Sequence, residues 1–241
     1  MVYTSHRAMV ASCPELYEGL EAPPTAMNEL VVTDGFVKKV GLPSNGNFAN
    51  ELAVNAEIQP VSAYSDIIPT IYEVTSETIT MEQIEGETLR IVYDPYGTVV
   101  SEHDQNLAVQ LKTLTERLTA IMGANITFIH GDYSPNNILR TATGLVVIDF
   151  EKSTFSEGSN PYVNIAQLLT RLWYNRPLMW RLFELQQVDS DKEMLRDALR
   201  HHVSKKLLRG VLHYAKVNGD NPELLVQIEQ DMQQNLATLI E

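Results

Sequence analysis

His130-Gly131-Asp132-Tyr133-Ser134-Pro135-Asn136-Asn137, followed by Leu145-Val146-Val147-Ile148-Asp149-Phe150-Glu151, is the stretch on which the reading of this chain turns. Its first block is a polar loop with an Asp five residues before an Asn. Its second block is a short apolar strand that delivers another Asp. The apolar run fixes Asp149 on a rigid element, and Ile138-Leu139 anchors the end of the loop, as a site built from oxygen donors requires.

Residues of these types at this spacing have a chemical use. Asn137 and Asp149 offer the oxygen ligands that Mg2+ takes, an ion that keeps most of its waters and binds one or two protein groups plus substrate phosphates. Asp132 can accept the proton of an attacking hydroxyl. His130 reads as a loop-shaping residue. The bland alternative, a polar turn with a fortuitous carboxylate, would suffice for one His-Gly-Asp triplet but not for two blocks in register.

His-Gly-Asp, four residues, Asn, then Ile-Asp-Phe-Glu resembles the catalytic signature of the aminoglycoside phosphotransferase and choline kinase group of the protein-kinase-like fold. That resemblance implies an α+β, bilobal protein: a small β-rich N-lobe over 1–84 that binds the nucleotide, and a mostly helical C-lobe over 85–241 with the catalytic loop and the acceptor site. It implies ATP or GTP as co-substrate, Mg2+, Asp132 as the base and Asn137 and Asp149 as metal ligands. Gly131, where protein kinases usually carry Arg, favours the small-molecule branch.

The same resemblance implies features upstream. Phe36-Val37-Lys38-Lys39-Val40 offers two lysines for the phosphates, and alternation puts them on opposite faces. Lys38 is the choice, because the pattern aromatic or aliphatic, aliphatic, Lys is common in kinase-like chains. Phe48-Ala49-Asn50-Glu51 is similar to the family's helix entry, making Glu51 the partner of that lysine, while Glu57 lies on another face. Thr80 to Leu89 resembles the connector whose backbone reads adenine, through the Glu82 carbonyl and the Ile84 amide.

Two departures stand out. Pro23-Pro24-Thr25-Ala26-Met27-Asn28 occupies the phosphate loop without a glycine cluster, and proline has no amide to offer. Thr25 and Asn28 are the remaining polar candidates. Asn164, in Tyr162-Val163-Asn164-Ile165-Ala166, stands where many relatives place an Asp, a change that would loosen the support of the catalytic loop or mark a misalignment.

Around this centre the chain reads as follows. Leu16 to Leu20 is a strand candidate, and Asn28 to Thr33 meets Phe36 to Val40 across Asp34-Gly35, a strong hairpin signal. Phe48 to Ile58 is helical, with Pro60 closing it. Ile67 to Val74 and Thr78 to Ile84 are strands. Ser101 with Asp104 forms a capping box before a helix whose Leu107, Leu111, Leu114, Leu118 and Met122 are core. Helices follow over 161–174, 177–187 and 192–217, and a last one is capped by Asn221 with Pro222 at its first position. Trp173, Tyr174, Trp180 and Phe183 read as core.

The chain has 241 residues, a net charge of −13 and one cysteine, Cys13. Its length and apolar content suffice for a full core. The charge argues against nucleic acid and anionic membranes as partners and would suit a cationic acceptor, although solubility alone is the better explanation. A single cysteine makes no intrachain disulfide and no thiolate cluster. No stretch has the length of a membrane span and the N-terminus lacks a signal peptide pattern, so a cytoplasmic protein is expected. Glu151 and Glu157 fall near the expected acceptor side, and His201-His202 and His213 do not form a ligand set. The leading function is transfer of a γ-phosphoryl group to a hydroxyl of a small molecule, such as an aminoglycoside, an amino alcohol or a sugar-like metabolite. The alternatives are a protein kinase and a nucleotide-binding regulator of the same fold with little catalysis. The first lacks an Ala-Pro-Glu segment after Asp149, and the second leans on the Pro-Pro loop and Asn164.

Overall fold

The computed structural model describes residues 28–203 and 222–240, apart from 34, 42–46, 64, 93, 124, 189 and 190. The strand expected at Leu16 to Leu20, the Pro23-Pro24 loop with Thr25, Cys13, His213 and the Asn221 cap lie outside the described residues.

Strand β1 (Asn28–Thr33) pairs antiparallel with β2 (Phe36–Gly41), joined at the predicted turn, where Gly35 takes the positive φ (80°) that such a turn needs. Helix α1 (Phe48–Ser62) follows, then β3 (Ile71–Val74) and β4 (Thr78–Glu82). The sheet order is β1-β2-β4-β3. Helix α1 packs on β3 and β4 and buries Phe48, Glu51, Val54, Asn55 and Ile58. Gly41 lies close against this helix: a Cβ there would run into the Phe48 ring.

Pro60 does not close α1, which runs on to Ser62. The last turn is held from outside the helix. Buried Ser62 donates its hydroxyl to the Gln59 carbonyl (2.8 Å) and accepts the Ile71 amide (2.9 Å). Ile67–Thr70, expected as strand, is irregular, and its buried Ile67 accepts the Val147 amide through its carbonyl (2.8 Å).

The remaining elements are β5 (Glu87–Thr88), α2 (Glu102–Thr119), β6 (Ile126–Ile129), a 3-10 turn (Pro135–Asn137), β7 (Ile138–Arg140), β8 (Leu145–Val147), β9 (Thr154–Glu157), α3 (Val163–Arg171), α4 (Arg176–Val188), a helical stretch over 192–203 and α5 (Pro222–Ala237). The capping box is complete: the Ser101 hydroxyl accepts from the Asp104 amide (3.0 Å) and the Asp104 carboxylate accepts from the Ser101 amide (3.3 Å). Leu107, Leu111, Leu114 and Leu118 are buried, and α2 packs on α4. Strand β6, not foreseen, pairs antiparallel with β9. At four residues each, their alternation is too brief to read from sequence. Trp173 and Phe183 are core, whereas Tyr174 and Trp180 are half-buried.

The chain forms two compact units, Met1–Glu85 with Val146–Ser153, and Gly86–Leu145 with Thr154–Glu241. Against the expected division at 84/85, the segment that carries Asp149 groups with the first unit. Among the described residues, no helix is long and apolar enough to cross a membrane.

Candidate active site

In the first unit the site is built on β2, α1 and the segment after β8. Lys39 Nζ lies 2.6 Å from Glu51 Oε1 and 3.4 Å from Asp149 Oδ1. The Glu51 side chain is only 2% exposed, so it is a carboxylate deep in the unit that needs a cation beside it. Burial pushes the Glu51 carboxyl upward and Lys39 pulls it back, the net direction being up. For Lys39, burial lowers the ammonium's pKa, but the carboxylates of Glu51 and Asp149 outweigh that and raise it.

The lysine that pairs with Glu51 is therefore Lys39, and Lys38 is corrected. Lys38 is exposed, on the face that carries Phe36, itself 43% exposed and edge-to-face with Tyr72 at 5.2 Å. Lys39 sits in register with Ile79, which is fully buried, and shares its face with Gly41, which backs on Phe48. The face toward α1 is the Lys39 face; the aromatic that suggested Lys38 looks outward.

Residues next to Glu51 hold the segment after Asp149. Asn50 Nδ2 donates to the carbonyls of Glu151 (2.9 Å) and Ser153 (3.0 Å), and Asn47 Nδ2 donates to Glu151 Oε1 (3.0 Å). Glu151 is thus tied within the first unit. Asp149 itself takes φ 67°, the one described non-glycine residue with positive φ. Such a conformation costs free energy and is retained where the surroundings fix it, commonly at functional positions. Its carboxylate remains 41% exposed. Glu82 ends β4, its Oε2 accepting from the Thr70 amide (3.1 Å), and half-buried Ile84 follows. Asn28 Nδ2 reaches Glu51 Oε2 at 3.5 Å, a long contact.

In the second unit the loop after β6 is pinned from several sides. Gly131 turns it with φ 78°. His130 is fully buried, and its ring accepts the Asp132 amide at Nδ1 (3.4 Å), consistent with a shaping role. Tyr133 is fully buried, accepts the Thr115 hydroxyl (3.2 Å), and donates its amide to Gln167 Oε1 (3.1 Å). Burial drives the Tyr133 phenol well above its usual range, so it stays protonated and structural. Asn137 Nδ2 donates to the Asp132 carbonyl (2.9 Å). That bond orients the amide and leaves its oxygen as the group able to accept or ligate.

Asn164 is central to this support. It is fully buried, accepts the His130 amide at Oδ1 (3.0 Å), and donates Nδ2 to the Phe128 carbonyl (2.6 Å) and the Thr119 hydroxyl (3.0 Å). An aspartate could not make both donations. The change to Asn holds the loop rather than loosening it. Asn164→Ala removes these three hydrogen bonds, two of them buried, and is expected to cost about 2–4 kcal/mol, read as a lower urea midpoint, with phosphoryl transfer falling in parallel.

Sequence reading missed Arg171. Its Nη2 lies 2.8 Å from Asp132 Oδ1, with the two side chains 42% and 29% exposed. It sits at the end of α3, 39 residues from Asp132. Nothing local in the sequence marks that pairing. Glu157, on β9, is exposed.

Residues 83–178 match the phosphotransferase enzyme family. The chain is similar in structure to a ternary complex of streptomycin, ATP and APH(2'')-IIa, with TM-score 0.54 and 14% identity over 86% of this chain and 90% of that one. The fold is that of the kinase-like phosphotransferases. Macrolide 2'-phosphotransferase MphH of Brachybacterium faecium gives TM-score 0.51 and 12% identity over 93% and 97% of the two chains. ADP-bound aminoglycoside phosphotransferase APH(2'')-Ib gives 0.50 and 15% over 97% and 98%. No curated protein matches by sequence. The phosphotransferase match covers Asp132, Asn137, Asp149, Asn164 and Arg171, whereas Lys39 and Glu51 lie before it.

Proposed function

We propose that this phosphotransferase moves the γ-phosphoryl group of ATP or GTP to a hydroxyl of a small molecule, with Asp132 as the base. The observation that carries the reading is the condition of Asp132: a carboxylate that reaches solvent, on a loop whose backbone is fixed by buried Asn164, by Gln167 and by Asn137. A base must be positioned to within tenths of an ångström, and rigid support achieves this.

In this reading Asp132 orients the acceptor hydroxyl and takes its proton as the oxygen attacks phosphorus in line. Asn137 and Asp149 would be the residues to hold Mg2+, which would supply positive charge to offset that on the nucleotide phosphates. Lys39, fixed by Glu51, contacts the phosphates, and the backbone at Glu82 and Ile84 reads the adenine. Two neighbours of the same fold were solved with ATP and with ADP, which supports a nucleotide donor. The non-catalytic regulator loses one of its supports, since Asn164 holds the loop.

The test is a screen of hydroxyl-bearing metabolites, aminoglycosides, choline and a mixed protein lysate for ATP consumption, with Asp149→Ala as control. At least one small molecule should drive Mg2+-dependent consumption that the variant abolishes. Transfer to protein alone would favour the protein-kinase alternative, and absence of Mg2+-dependent ATP binding by calorimetry would remove both enzyme readings.

A further inference from the structure

The charge beside the base constrains what can be presented to it. Arg171 Nη2 stands 2.8 Å from Asp132 Oδ1. Among the described residues this is the guanidinium's only ion-pair or hydrogen-bond partner, although an Arg side chain carries five donors in a fixed fork. Its side chain is 42% exposed, so the guanidinium is open to solvent beside Asp132. An acceptor hydroxyl held against Asp132 lies within about two hydrogen-bond lengths of that fork. A substituent on a neighbouring carbon of the acceptor therefore meets Arg171.

We propose that Arg171 is a specificity-determining residue that selects acceptors bearing a carboxylate or phosphate near the reacting hydroxyl, such as sugar acids or sugar phosphates, over amine-bearing ones. This rests on the phosphotransfer reading above. The physical ground is local charge. Arg171 cancels the field of Asp132 at short range, so an ammonium group at this position gains little from the carboxylate and is repelled by the guanidinium. An anionic oxygen pair matches the fork geometry and forms charge-assisted hydrogen bonds. The chain's net charge of −13 does not reverse this, because charges farther than about 8–10 Å are screened at physiological salt. An anionic group that takes up the free donors also leaves Asp132 in place for the hydroxyl.

The experiment compares kcat/KM for three size-matched acceptor sets, neutral polyols, sugar acids with sugar phosphates, and amino sugars with aminoglycosides. It uses the full chain, Arg171→Gln and Arg171→Lys, with product identified by mass spectrometry. The wild type should prefer the anionic set by at least tenfold over the amine set. Arg171→Gln should raise KM for anionic acceptors tenfold or more with a smaller change in kcat, and should leave or improve the amine set; Arg171→Lys should restore part of the anionic preference. Because Arg171 is partly exposed, melting temperatures within a few degrees of wild type are expected. Asp132-dependent transfer that favours amine-bearing acceptors, or an equal loss on all three sets in Arg171→Gln, overturns the inference and leaves phosphotransfer standing. ATP consumption with none of the sets overturns both.

Discussion

Asp132→Asn should leave a folded protein that still binds nucleotide while phosphoryl transfer falls by about 10²–10⁴-fold, the range that general-base catalysis supplies. The substitution keeps the shape of the side chain, and an amide oxygen can still accept from Arg171. It removes the carboxylate that the proposed mechanism uses to take the proton. The ion pair it weakens is between side chains 29% and 42% exposed, and such pairs contribute under about 1 kcal/mol. A melting curve close to wild type would therefore separate chemistry from folding. Calorimetric titration with Mg-ATP should give an unchanged affinity. Turnover at the wild-type rate would remove Asp132 from the base role, whatever the acceptor.

Lys39→Ala and Lys38→Ala should differ sharply. Removing Lys39 leaves Glu51, 2% exposed, without its cation, at an expected cost of about 3–5 kcal/mol and with loss of nucleotide affinity. Removing exposed Lys38 should change stability by less than about 0.5 kcal/mol. The pH dependence of the Lys39→Ala deficit has a definite sign. Burial already raises the folded pKa of Glu51 above its ordinary value of 4.5, with Lys39 opposing the rise. Without Lys39 the rise is larger, so the native state holds a proton that the unfolded state has released, and stability falls as pH rises through that window. The deficit should therefore shrink as pH is lowered from 7 toward 5. The raised Lys39 pKa has the complementary consequence: in the wild type its contribution is fully present below the ordinary lysine value of 10.5 and is lost only as pH rises beyond it. Denaturant titrations at three pH values check both. A deficit that grows toward acid would contradict the burial argument, and equal effects at Lys38 and Lys39 would contradict the face assignment.

Elements governed by neighbours in the chain were legible in advance. The hairpin at Gly35, the capping box at Ser101 and Asp104, the leucine stripe of α2 and Pro222 at the start of α5 each depend on a few adjacent residues, and the structure has them. Glu51 was legible through the resemblance of Phe48-Ala49-Asn50-Glu51 to the family's helix entry, a run of four adjacent residues. Pro60 does not end the helix because Ser62 holds the turn beyond it, donating to the Gln59 carbonyl and accepting the Ile71 amide from outside the helix. Strands β6 and β9 were invisible because four residues carry too little alternation, and each is stabilised by a partner about 30 residues away.

The sequence by itself determined the chemistry on offer: a carboxylate, an amide and a second carboxylate at Asp132, Asn137 and Asp149, set by loop and strand lengths that are local. Only the tertiary structure decided which lysine meets Glu51, that Asn164 braces the loop, and that Arg171 stands beside Asp132. Period-two alternation says that Lys38 and Lys39 face opposite ways, but not which face a helix covers, since that depends on what packs there. The partners of Asn164 and Arg171 lie tens of residues away, and their pairing is fixed by the packing of α3 against the loop, which no local pattern encodes.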